Sequence, residues 1–369
     1  MNDRTFVIAG HLGSGKTTLL AQILKITNAL SKADKNFIDY DPLEQAKNMT
    51  INLKVLRTKY KNYEFQFIDT PGFIELEGEL ISATRVADNM LIVVDISMGL
   101  EVGIERAFEE AKKYNLPIFF AINKCKGYEK DPEEILSLLK NKFGKQVHPV
   151  QVPIGIGQSF NSVFDIIEGN YQMLDENLRK HAIDEYNEFV EAVVETDDYL
   201  LEKYMEGREI TKQELHDAFR KAIDNSLFYP VLYIDALNNI GIVELLDFLG
   251  EYGISYSERF DEKPYTSILI FKTYSEAHLG ETYLFRVLSG KFKTGMELKN
   301  IRNGVIEKIS HLYIPFGKER KELNELSSGE VGLVLKLKDT KTGDVLSTSD
   351  EKYKWVEYPE PLYVIGIKP

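Results

Sequence analysis

The 369-residue sequence has a single cysteine, Cys125, so an internal disulfide framework is excluded. Beside a candidate binding loop a thiol invites a redox role, but the expected reading is a small packed residue. Long apolar runs are missing as well: mean hydropathy is −0.25, and nothing reads as a membrane-crossing helix or a secretory leader. The sequence opens on a charged turn and a strand, so a cytoplasmic protein with no membrane partner is expected. Positive charge is scarce: 45 Lys and Arg stand against 58 Asp and Glu, a formal net charge of −13. That balance argues against a general nucleic-acid-binding surface, and free DNA is not expected as a partner. A local patch on a negative whole can still dock on a charged particle. Internal repeats and low-complexity tracts are absent, which excludes solenoids and biased linkers. The length suits two or three domains with separate cores.

What is present is most informative near the start. Gly10-His11-Leu12-Gly13-Ser14-Gly15-Lys16-Thr17 lies between the apolar run Phe6-Val7-Ile8-Ala9 and a helical pattern beginning at Thr18. This is the G-x-x-x-x-G-K-[ST] phosphate loop in its strand-then-helix context. Gly10 and Gly15 let the backbone bend close to a polyphosphate, with Gly13, Ser14 and Thr18 completing a cradle of N–H groups at a helix N-terminus. Lys16 would reach the β/γ-phosphate oxygens and Thr17 would hold Mg²⁺. Downstream, the strand Phe65-Gln66-Phe67-Ile68 ends in Asp69-Thr70-Pro71-Gly72. Asp69 is positioned to assist Mg²⁺ through water and Gly72 to offer an N–H to a γ-phosphate. Between these motifs, Thr50 is a candidate for a mobile residue that closes on Mg²⁺ when a γ-phosphate is present.

Taken together, Asp41-Pro42 through Thr50, Asp69-Thr70-Pro71-Gly72, Ala121-Ile122-Asn123-Lys124 and Val150-Gln151-Val152-Pro153-Ile154-Gly155 resemble the GTPase part of elongation factor G. The stretch Asp39-Tyr40-Asp41-Pro42, Gly13, and a non-histidine after Asp-Thr-Pro-Gly resemble more narrowly its divergent elongation factor G-like paralogues. Gly280-Glu281-Thr282 through Gly290 and Gly343-Asp344-Val345-Leu346 resemble the family's second domain, so the likeness covers essentially the whole chain. It implies a Mg²⁺-dependent switch that binds GTP and GDP, hydrolyses GTP and acts in or near translation on the ribosome, with hydrolysis expected to be slow because of the departure at Phe73. Lys16, Thr50 and Gly72 would then serve hydrolysis, while Asn123, Lys124, Asp235 and Ala236 would flank the guanine base.

Two departures from the family pattern matter. Where its guanine motif reads Asn-Lys-x-Asp, this chain has Asn123-Lys124-Cys125-Lys126, and a lysine cannot accept hydrogen bonds from the guanine edge. A carboxylate, Asp235, stands instead in the second base loop, where it either substitutes in part for the lost acceptor, pairs with Lys126 in a rebuilt pocket, or is there by coincidence. The family's water-orienting histidine is replaced by Phe73, which has neither donor nor acceptor for the task. Glu75 and Glu77 follow it and read most simply as helix-start carboxylates. A non-hydrolysing docking module, and an ATP-specific enzyme, are the alternative functions.

Strand patterns at 4–9, 51–57, 63–68, 90–95, 117–122, 147–152 and 229–234 alternate with helical ones at 16–29, 76–87, 102–114 and 132–142. The expected fold is α/β: a P-loop GTPase domain over 1–255 with a doubly wound, mostly parallel sheet. A helical insertion is expected at about 160–227, with Ile183, Tyr186, Val190 and Val193 at helical spacing and a capping box at Thr211. A β-barrel second domain is expected over 263–358, and 359–369 reads as the start of a truncated further domain.

Overall fold

The computed structural model describes residues 3–276, 280–351 and Gly366. It divides into two compact units, one holding the chain up to Asp261 together with Pro315–Lys321, the other Glu262–Ile314 and the chain from Glu322 on. The segment 359–369, apart from Gly366, and residues 352–358 of the second-domain reading lie outside the described residues.

In the first unit β1 (Asp3–Ala9), β2 (Lys54–Tyr60), β3 (Tyr63–Asp69), β4 (Asn89–Asp95), β5 (Ile118–Asn123) and β6 (Val147–Pro149) belong to one sheet. β7 (Gln151–Ile154) and β8 (Ser162–Asp165) form a separate antiparallel ribbon, and β9 (Tyr229–Tyr233) returns to the sheet. The order is β2-β3-β1-β4-β5-β9-β6, parallel throughout except for the β2–β3 pair. Phe6, Val7 and Ile8 of β1, and Met90 through Val94 of β4, are wholly buried, as continuous apolar runs in a two-sided parallel sheet must be. The loops that carry the motifs therefore gather at the carboxyl ends of β1, β3, β5 and β9.

Helices α1 (Lys16–Ile26), α2 (Lys35–Ile38), α3 (Pro42–Lys47), α4 (Glu77–Thr84), α5 (Val102–Lys113) and α6 (Pro132–Phe143) precede the insertion. The insertion then supplies α7 (Glu176–Val194), α8 (Asp198–Met205) and α9 (Lys212–Asp224), and α10 (Ile242–Tyr252) follows β9. Some boundaries differ from the sequence reading for local reasons. The strand expected at 51–57 starts only at Lys54, because the N–H groups of Ile51 and Asn52 are taken by the Glu44 carboxylate and that of Leu53 by Glu79. The strand expected at 147–152 leaves the sheet at Val150 and continues as the ribbon. Thr27, expected within α1, ends it by bonding back to the Ile23 carbonyl at 2.8 Å.

The buried face of α7 is carried by Ala182, Phe189 and Val193, whereas Ile183, expected on that face, is exposed. Thr211 does begin α9 with a reciprocal cap, its N–H donating to Glu214 Oε2 at 2.8 Å. The insertion is fastened to the sheet domain by an aromatic cluster: the Phe219 ring lies 4.9 Å from Phe189, 4.8 Å from Phe228 and 4.8 Å from Tyr252, centroid to centroid.

The second unit is an eight-stranded antiparallel sheet with an added two-stranded ribbon, its longest pairing running between Ser267–Glu276 and Gly280–Ser289. Ile268, Phe285, Phe292, Leu298, Leu312, Leu326 and Leu346 come from strands along the whole sheet and from the ribbon, yet converge on one core, as a barrel requires. The Gly343-Asp344 turn is held because buried Asp344 accepts two bonds from Arg302, at 2.7 and 2.9 Å, and one from Asn300 at 2.8 Å.

Truncating Phe219 to alanine is expected to cost about 3–5 kcal/mol of unfolding free energy in urea, while Met173→Ala, on an exposed side chain, should stay within about 0.5 kcal/mol.

Candidate functional site

A cleft of about 620 Å³ opens at the carboxyl edge of the first sheet. Gly13, Gly15, Lys16, Thr17, Thr18, Thr50, Gly72, Asn123, Lys124, Asp235 and Ala236 line it. Gly10, Ser14 and Asp69 stand behind that lining and hold it. Residues 10–15 link β1 to α1, and Gly15 starts the helix at a left-handed φ of 98°, where a Cβ would strike the Asn123 amide. α1 has no side-chain cap and no acidic residue in its first turn, so its N-terminal N–H groups and its dipole are left for an external anion.

Lys16 is 5% exposed and its Nζ donates to the carbonyls of Gly10 and His11, both at 2.9 Å. Gly72 closes over it: a Cβ there would sit 2.5 Å from Lys16 Nζ and 2.6 Å from the Leu12 nitrogen, so only bare backbone fits. Beside the lysine lies a knot of oxygens. Thr17 Oγ1 donates to Asp69 Oδ2 at 3.0 Å, Thr50 Oγ1 donates to Asp39 Oδ1 at 3.0 Å, and the two hydroxyl oxygens are 3.1 Å apart. Both hydroxyl protons are committed to carboxylates, and Asp69 Oδ1 is buried without a hydrogen-bond partner. Four hard oxygen donors short of positive charge fit a Mg²⁺-sized cation better than a softer metal. Burial, and then mutual repulsion with Asp39, holds the Asp69 carboxyl well above its usual range; burial raises Asp39 too, and burial lowers the Lys16 ammonium.

At the other end Asn123 joins three loops. Its Nδ2 donates to the Ser14 carbonyl at 2.8 Å, and its Oδ1 accepts from the N–H groups of Lys124, at 2.8 Å, and Ala236, at 2.9 Å. Lys124 Nζ pairs with Asp95. Asp235, 2% exposed, staples the base loops: Oδ2 accepts from the backbone N–H of Lys126 at 3.0 Å, and Oδ1 from the Asn238 backbone and side chain, both at 2.9 Å. The link between positions 126 and 235 therefore runs through backbone and not through the lysine ammonium. Cys125 is packed against the Ile122 carbonyl, and burial pushes its thiol up to about 12, far from a reactive thiolate.

Two residues that shape the site were given no role from the sequence. Asp39 reaches the oxygen knot although only its neighbour Thr50 was singled out. Glu44, wholly buried, accepts from the N–H groups of Ile51 and Asn52 and from Lys54 Nζ, each at 3.0 Å, and so fixes the turn that presents Thr50. Its signal was available: Asp41-Pro42-Leu43-Glu44 is a capping box with proline at the first helical position. Phe73 is 42% exposed and lines a separate small pocket with Gly72 and Arg106, so its ring is not part of the main cleft.

Residues 1–254 match the family described as elongation factor Tu GTP binding domain, and residues 266–349 match elongation factor G domain 2. The chain belongs to the family of the elongation factor Tu GTP binding domain. The chain is 31% identical, over its whole length, to an elongation factor G-like protein of Thermotoga maritima, 57% of which it covers. A solved crystal structure from Thermus thermophilus superposes with a TM-score of 0.89 at 29% identity, over 97% of this chain and 56% of that one. It thus spans little more than half the length of the relatives it matches. Among its described residues no helix is long and apolar enough to cross a membrane.

A raised carboxylate binds more protons in the folded than in the unfolded state, so Asp69 lowers stability once pH exceeds its ordinary pKa of about 3.9, increasingly so until it ionises. In chelator, without nucleotide, Asp69→Asn should therefore raise the Tm relative to wild type by a margin that widens as pH goes from about 5 to about 8; a constant margin would refute the buried charge.

Proposed function

We propose that this chain is a Mg²⁺-dependent GTP-binding switch with slow intrinsic hydrolysis that acts on the ribosome. The observation that carries the reading is the oxygen knot of Thr17, Thr50, Asp39 and Asp69 beside Lys16, at an uncapped helix N-terminus. Thr17 and Thr50 would hold Mg²⁺ directly and Asp69 through water; the ion when bound neutralises charge on the β- and γ-phosphates. Gly10, Gly13, Ser14, Gly15 and Thr18 supply the backbone cradle, Lys16 stabilises charge growing toward the leaving group, and Gly72 offers its N–H to the γ-phosphate. Thr50 senses that phosphate because its segment, held by Glu44, can be ordered or released as a unit. Asn123, Lys124 and Ala236 flank the base, with guanine preferred less strictly than where a motif carboxylate accepts from its edge. Family membership supports guanine nucleotide as ligand and translation as the setting; a cytoplasmic location follows from that setting.

Calorimetric titration with GDP, GTP, ADP and ATP in Mg²⁺ tests the reading. Lys16→Ala should abolish binding, and Lys126→Asp should raise the preference for GTP over ATP by tenfold or more. No binding of any of the four at millimolar concentration would favour a docking module, and an adenine preference the ATP-specific reading. In single-turnover assays with and without ribosomes, Phe73→His should accelerate hydrolysis by about a hundredfold; fast turnover by wild type alone would mean that another group, with Glu75 the first to test, already orients the water.

A further inference from the structure

Outside the cleft, α6 and α7 bring together three side chains that no step above uses. His181 and Glu185 are four residues apart on α7 and so share one face, and Glu133 lies in the first turn of α6. One ligand atom of each lies within 4.8 Å of the others, and His181 Nε2 is 3.6 Å from Glu133 Oε1. We propose that Glu133, His181 and Glu185 form a binding site for a first-row divalent cation of the zinc class.

An imidazole nitrogen with two carboxylate oxygens is a donor set that zinc accepts and magnesium does not favour. At zinc–ligand lengths of about 2.0–2.1 Å, tetrahedral ligand atoms lie about 3.4 Å apart. The His181–Glu133 spacing already meets that, and a small rotation of Glu185 completes it. The fourth position faces solvent, since the His181 and Glu133 side chains are 41% and 37% exposed. Two independent features behind the cluster point at a cation. Glu185 Oε2 is buried without a hydrogen-bond partner, while the nearby Lys140 is engaged 3.5 Å away by Glu188. Tyr233 is wholly buried on β9, its hydroxyl also lacks a partner, and after burial the charges that do most to hold its proton on are Glu133 and Glu185. A hydroxyl in that position would donate to a ligating carboxylate from the outer shell.

The test uses the full chain, stripped with chelator and held in millimolar Mg²⁺ to fill the oxygen site of the main cleft. Zn²⁺ titrated against a chromophoric chelator should show one tight equivalent on wild type, weakened at least tenfold in His181→Ala and Glu185→Gln and about tenfold in Tyr233→Phe. Zn²⁺ should raise the Tm of wild type and leave that of His181→Ala and Glu185→Gln unmoved. Without zinc, Glu185→Gln should be at least as stable as wild type, since it removes the repulsion between Glu185 and Glu133, which separates lost metal binding from lost folding. No tight equivalent on wild type, or one of unchanged affinity in the variants, would overturn the proposal.

Discussion

The side-chain amide of Asn123 is the contact on which the cleft depends. A buried amide must satisfy both ends, and here the donor end meets the phosphate loop at Ser14 while the acceptor end meets both base loops, at Lys124 and Ala236. Three loops from three strand ends are thereby held in one geometry by a group that has left the solvent, and Asp235 repeats the device between residues 126 and 238. A rigid sheet edge with cross-bonded loops is pre-organised, so ligand binding need not order it at the moment of contact.

Charge at the cleft is arranged less comfortably. Asp39 and Asp69 are held near each other beside Thr17, Thr50 and a desolvated Lys16. Under the proposed function a bound cation and polyphosphate would relieve the cost of this arrangement, and the relief would bias the segment carrying Thr50. Glu44 ties that segment to α3 from inside, through the N–H groups of Ile51 and Asn52 and the Lys54 ammonium.

Much of this was legible in the sequence because it is local. The phosphate loop, Asp69-Thr70-Pro71-Gly72, the strands flanking them and the Thr211 cap depend on residues within a few positions of each other, where turn chemistry and periodicity operate. The misjudged elements depend on partners far away in the chain. The start of β2 is decided by Glu44 and Glu79, the break after β6 by the ribbon partner at 162–165, and the buried face of α7 by the rings of Phe219 on α9 and of Phe228 just before β9. The burial of Phe189 in place of Ile183 cannot be seen in a helical repeat that offers both.

By itself the sequence determined the class of fold, the phosphate-binding loop and the order of motifs along the chain, since each is written in residues whose conformational preferences act over one turn or one strand. Only the tertiary structure decided that Asp39 joins the Thr17–Thr50–Asp69 oxygens, that Asp235 meets the backbone of Lys126 instead of its ammonium, and that Glu133, His181 and Glu185 converge. Those are contacts between segments tens of residues apart, and packing alone sets which polar atoms end buried together.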